Sequence, residues 1–184
     1  MKDDIWAATQ PVDYQDSRLA PGRSPLLDAK VMMVDDESLM TDLIQTYLED
    51  EGYQNFVATN DPRQAVDMLR REKPSILLLD LMMPGLSGFE VLEAIPADRA
   101  LRYTPVIVLT ASTGADAKLR ALQLGVTDFL SKPVDASELV LRLRNTLAFQ
   151  QYHERLINYD LVTGLPNERL FDKGIDDMVA RREL

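Results

Sequence analysis

The chain contains no cysteine, which excludes disulfides and thiolate metal centres and suits a reducing cytoplasm. Tryptophan and histidine occur once each, as Trp6 and His153. A histidine-based metal site therefore has no second imidazole to draw on, and His153 reads as a surface residue. Basic side chains are in deficit, 20 against 30 acidic ones, for a net charge of −10. Such a balance opposes non-specific binding to nucleic acid or anionic lipid. No apolar run approaches the roughly 20 residues that a membrane span needs. The opening Met1-Lys2-Asp3-Asp4 lacks the apolar core of a signal peptide. The expected location is cytoplasmic, with no membrane partner.

What is present is a globular composition, 46% hydrophobic over 184 residues, enough for one ordinary domain and a modest appendage. Residues 1–28, with Pro11, Pro21, Gly22 and Pro25 among scattered charges, read as a flexible leader. From Lys30 onward, short apolar runs alternate with amphipathic ones. Val31–Val34 is a strand ending in Asp35-Asp36. Ser38 reads as the cap of a helix that carries Leu39, Leu43, Ile44 and Leu48 and closes at Gly52. Phe56–Ala58 is a second strand, and Asp61-Pro62 opens a second helix. Ser75–Asp80 is a strand buried on both faces, running into Leu81-Met82-Met83-Pro84-Gly85. A short helix over Gly88–Ile95 precedes the strand Pro105–Leu109, which ends at Thr110. A helix over Asp116–Leu124 stops at Gly125, and Asp128–Leu130 is the last strand, ending at Ser131-Lys132-Pro133. A long helix begins near Ser137.

Five β–α units predict an α/β fold, a doubly wound five-stranded parallel sheet in the order 2-1-3-4-5, with a long C-terminal helix. Such a sheet delivers Asp35, Asp36, Asp80, Thr110 and Lys132 to one edge. Clustered carboxylates without His or Cys call for a hard cation such as Mg²⁺, and an aspartate is a competent nucleophile for phosphoryl transfer. Taken singly, each residue also has a plain structural reading. Asp35 serves equally as a helix-entry cap, and Lys132 as a solvated charge.

These residues, with Asp80-Leu81-Met82-Met83-Pro84, Gly88, Thr110-Ala111 and Phe129-Leu130-Ser131-Lys132-Pro133, closely resemble the receiver domain of two-component response regulators over residues 29–148. The resemblance implies that Asp80 accepts a phosphoryl group from a histidine kinase or phosphotransfer protein. It implies Mg²⁺ ligation by Asp36 and Asp80, by Asp35 through water and by the backbone carbonyl of Met82. Thr110 and Lys132 would contact the phosphoryl group, and Phe129 would switch with Thr110, by packing alone because it has no hydroxyl. Ser87 stands where many receivers carry an acidic residue.

Beyond Ala148 the apolar pattern continues through Phe149, Tyr152, Leu156 and Tyr159, a heptad-like seam. With no Pro or Gly between Asp135 and Val162, one continuous helix is expected, its 149–162 portion a signalling linker that pairs with a second copy. Folding back onto the receiver is the alternative. Asp160-Leu161-Val162-Thr163-Gly164-Leu165-Pro166-Asn167 then resembles the opening of the GGDEF family of diguanylate cyclases, with Asn167 capping a further amphipathic helix. The Gly-Gly pair of that family's signature is absent. Residues 163–184 are expected to be the truncated start of a cyclic-di-GMP output domain. A transcription factor is a rival, although residues 149–184 carry five basic and seven acidic side chains, which is no footprint for DNA. A stand-alone Asp-nucleophile phosphohydrolase is a third reading, in which Met82 supplies no catalytic acid.

Overall fold

The computed structural model describes residues 24–160 apart from 86, 112 and 113, together with 163, 165 and 167. Trp6, most of the expected leader and the helix expected after Asn167 lie outside the described residues. Five parallel strands, β1 (Lys30–Val34), β2 (Asn55–Thr59), β3 (Ile76–Asp80), β4 (Val106–Thr110) and β5 (Asp128–Ser131), form one sheet in the order β2-β1-β3-β4-β5. The expected fold class is the observed one. Lateral register runs Met33 to Leu78, Leu78 to Ile107 and Ile107 to Asp128, so the strands finish at a common carboxyl edge.

Alternation along each strand feeds two cores. On one face Met32, Val34, Leu77, Leu79 and Val108 meet α2 (Ala65–Glu72), α3 (Gly88–Ala97) and α4 (Ala115–Gln123). On the other, Val31, Met33, Leu78, Ile107 and Leu109 meet α1 (Ser38–Asp50) and α5 (Ala136–Asn158). Every residue of β3 is buried, which explains its unbroken apolar run. Each such Leu or Ile contributes about 1.5–3 kcal/mol on transfer from water. Among the described residues no helix is long and apolar enough to cross a membrane.

Helix ends carry most of the departures from expectation. Ser38 does not cap α1. Glu37 holds the cap position without a side-chain bond, and its own N–H donates to the Asp35 carboxylate at 3.0 Å. Gly52 closes α1 at φ +93°, a conformation that costs glycine little. Asp61 accepts the Arg63 N–H at 3.1 Å and opens the 3-10 turn that leads into α2, as its Asp-Pro pair implies. Residues 25–28, read as leader, form a 3-10 turn with Leu26 and Leu27 packed on the second core.

Helix α5 starts behind Asp135, whose carboxylate accepts the Glu138 N–H at 2.9 Å, and it ends at Asn158, short of Val162. Asp160 draws the chain out of the helix by accepting both the N–H and the hydroxyl of Thr163 at 2.8 Å, a local bond that competes with the helical one. The Asn167 side-chain amide donates to the Ile157 carbonyl at 2.7 Å and its N–H to the Asn158 carbonyl at 2.9 Å. A clasp therefore satisfies carbonyls at the end of α5 that would otherwise lack partners.

Candidate functional site

Strand β1 ends one residue before Asp35, and β3 ends on Asp80. Because β1 and β3 are neighbours, both side chains reach the point where strand order reverses, the usual ligand crevice of such sheets. Oxygens of Asp35, Asp36 and Asp80 all lie within 4.8 Å of one another. Asp35 and Asp80 are buried, at 1% and 4% exposure, and Asp36 is half-buried at the rim.

Lys132 follows β5 directly, and its N–H donates to the Thr110 carbonyl at 3.1 Å. That bond turns the lysine inward over the edge. Its Nζ donates to Asp35 Oδ2 at 2.7 Å and to Asp80 Oδ2 at 2.6 Å. The other Asp80 oxygen, Oδ1, accepts the Met82 N–H at 2.9 Å. Both oxygens of Asp80 are thus held.

Burial pushes the Asp35 carboxyl above the ordinary carboxylate range, against the opposing bonds from Lys132 and the Glu37 N–H. Burial also works against the Lys132 ammonium, but its bonds to Asp35 and Asp80 outweigh it and the lysine sits above its ordinary value. The two directions are compatible because one ammonium serves two carboxylates. Each carboxylate receives only a share of its charge.

Thr110 is buried at 3% exposure as the last residue of β4, one position beyond Leu109, the register partner of Asp80. Phe129 on β5 is half-buried against the first core. The sheet thus gathers Asp35, Asp36, Asp80, Thr110 and Lys132 at one edge, with Met82 on the loop above and Phe129 two strand residues inward. His153 stacks on Phe149 at 6.3 Å, away from the carboxylates, as expected of a surface residue.

Two supports escaped the sequence reading. Ser87, noted there only as a departure, makes a capping box with Glu90 at the start of α3. The Ser-x-x-Glu spacing was the available signal. Asn60 donates its side-chain amide to the Asp35 carbonyl at 2.7 Å, and nothing local in the sequence announces that bond.

An all-oxygen donor set of three carboxylates fits a hard divalent cation such as Mg²⁺, which takes oxygen ligands and keeps several waters.

Comparison with known proteins agrees with this geometry. The family profile described as response regulator receiver domain matches residues 31–144. Response regulator PleD of Caulobacter vibrioides is 36% identical over 124 residues, 67% of this chain and 27% of PleD. Transcriptional regulatory protein CpxR of Escherichia coli is 38% identical over 131 residues, 71% of this chain and 54% of CpxR. The chain therefore spans about half or less of these relatives. Among solved structures, a Francisella response regulator receiver domain superposes with a TM-score of 0.61 at 27% identity, covering 66% of this chain and 98% of its own. Chemotaxis response regulator CheY4 of Vibrio cholerae gives 0.60 at 28% identity, covering 65% and 98%. With the profile covering more than half of its length, this chain belongs to the response regulator receiver family.

Proposed function

We propose that the chain is a phosphoacceptor module in which Asp80 takes a phosphoryl group from a histidine kinase or phosphotransfer protein. The observation that carries this reading is the hold on Asp80, with Oδ2 on Lys132 at 2.6 Å and Oδ1 on the Met82 N–H at 2.9 Å. An Asp80 oxygen forms the new P–O bond, the donor's P–N bond breaks, and its electron pair leaves with the imidazole. Asp35, Asp36, Asp80 and the Met82 carbonyl would hold Mg²⁺, which supplies positive charge to the phosphoryl oxygens. Lys132 is already on Asp80 and moves its charge onto the phosphoryl group as the carboxylate is esterified. Thr110 contributes its hydroxyl from the adjacent strand, and Phe129 repacks as Thr110 moves.

Residues 29–148 form the receiver, 149–162 the signalling segment and 163–184 the opening of a GGDEF-like output domain, within a full-length protein that makes cyclic-di-GMP or, through a further phosphodiesterase domain, degrades it. What supports that output is the run Asp160-Leu161-Val162-Thr163-Gly164-Leu165-Pro166-Asn167, which resembles the opening of the GGDEF family and follows closely on α5. The transcriptional reading has the likeness to CpxR in its favour, and the acidic tail against it.

Incubation with acetyl phosphate and Mg²⁺, followed by intact-mass analysis, tests the acceptor. One phosphoryl group is expected on the wild type and none on Asp80→Asn. Equal labelling of the two would reject Asp80.

A further inference from the structure

The β1–β2 ladder ends in an unusual rung. Val34 pairs with Thr59 as the last strand partners, and the Asp35 N–H still reaches the Thr59 carbonyl at 3.3 Å. One step further the backbones part, because Asp35-Asp36 turns into α1 and Asn60-Asp61 turns into the 3-10 turn before α2. The Asp35 carbonyl, which the ladder can no longer serve, accepts the Asn60 side-chain amide at 2.7 Å. That carbonyl belongs to the peptide plane between Asp35 and Asp36, so holding it fixes the position of the Asp36 N and Cα and leaves only the Asp36 φ to direct its Cα–Cβ bond.

We propose that Asn60 is a positioning residue for the divalent-cation site, fixing through the Asp35 carbonyl the peptide link from which the Asp35 and Asp36 carboxylates diverge. The inference rests on the cation reading above and adds to it a residue that offers the ion no ligand. Asp36 is the carboxylate most in need of such help. Asp35 and Asp80 are buried and tied to Lys132, whereas Asp36 sits half-buried at the mouth of a cleft that it shares with Asn60, Asp61, Arg63, Pro84 and Gly85. Beside it Asp61 accepts from Arg63 through Nε at 2.8 Å and Nη2 at 3.0 Å, and Pro62, with its fixed φ, opens the 3-10 turn that follows. Asn60 stands directly before that turn. Groups that orient ligands without binding metal are worth about 10- to 100-fold in affinity at well-built sites.

The test uses the full chain and Mg²⁺ alone, titrated calorimetrically, beside the Mg²⁺ dependence of labelling by acetyl phosphate. Asn60→Ala is expected to weaken Mg²⁺ binding about tenfold. The Mg²⁺ concentration for half-maximal labelling should rise in parallel while the rate at saturating Mg²⁺ is kept, the pattern of a lost binding contribution. Asn60→Leu keeps the volume and removes the donor without adding a charge beside the cation, and should weaken binding as Asn60→Ala does. A wild-type dissociation constant in both variants overturns the proposal. A purely structural role would lower the melting temperature and leave the Mg²⁺ midpoint in place, which also overturns it. Asp36→Asn is the control. If it binds Mg²⁺ as well as the wild type does, the cation reading itself has failed, an outcome distinct from a silent Asn60.

Discussion

Asp35 is a carboxylate whose surroundings disfavour its charge, and that has a sign that can be checked. Burial raises its pKa above the ordinary 3.8, so the folded state holds the proton more tightly than the unfolded chain does. The resulting contribution to stability is complete below the unfolded value and is lost as pH rises through the folded one. At neutral pH, without a cation, ionised Asp35 works against folding. Asn resembles the neutral acid. Asp35→Asn is therefore expected to raise the melting temperature in EDTA and to flatten the pH profile just above the ordinary carboxyl range. The same variant should lose the gain that Mg²⁺ gives the wild type, about 2.7 kcal/mol at a hundred times the dissociation constant. Scanning calorimetry with and without Mg²⁺ checks both signs, and an undiminished Mg²⁺ increment would separate Asp35 from the cation. The acidic residues themselves were legible in the sequence because a buried parallel strand delivers its last residue to a known edge. Asn60 was not legible, because its partner is a backbone carbonyl on another strand and leaves no side-chain signature.

At the scale of elements, α3 sits hard against the end of β3 and the loop after it. A Cβ built on Gly88 would lie 2.2 Å from the Asp80 carbonyl oxygen and 2.8 Å from the Leu81 Cα. Both are backbone atoms and cannot step aside as a side chain can. Gly88→Ala must push α3 away from the acceptor strand, and about 3 kcal/mol of destabilisation is expected, at the upper end of ordinary overpacking. Urea unfolding measures it, and a wild-type midpoint would contradict the packing. The Gly was visible in the sequence as part of a resemblance, but its physical reason needed coordinates. At α5 the start near Ser137 was legible but its cap, Asp135, was not named, and absence of Pro and Gly up to Val162 said nothing of the Asp160–Thr163 bond that turns the chain out. Helix breakers are not the only stops. A short polar side chain that bonds its own backbone does as well.

Over the whole molecule, the strand order was accessible because alternating β and α runs with right-handed crossovers leave few sheets to choose from. The 3-10 turn at residues 25–28 was missed, since two adjacent leucines after a proline show no period. The far end of α5 leaves its seam uncovered, with Phe149 67%, Tyr152 49% and Tyr159 41% exposed. These side chains do not fold back onto the receiver. Truncation after Ala148 is accordingly expected to weaken self-association relative to the full chain in sedimentation equilibrium, and identical behaviour would remove the pairing role of the seam.

The bridge from Lys132 to Asp35 spans 97 positions of chain, and the bridge to Asp80 spans 52. During synthesis the ribosome thus releases the negative groups of the pocket well ahead of their counter-charge. A polypeptide interrupted before β5 holds its acids without the amine that steadies them. The charge balance of the pocket is in this way tied to completion of the last strand.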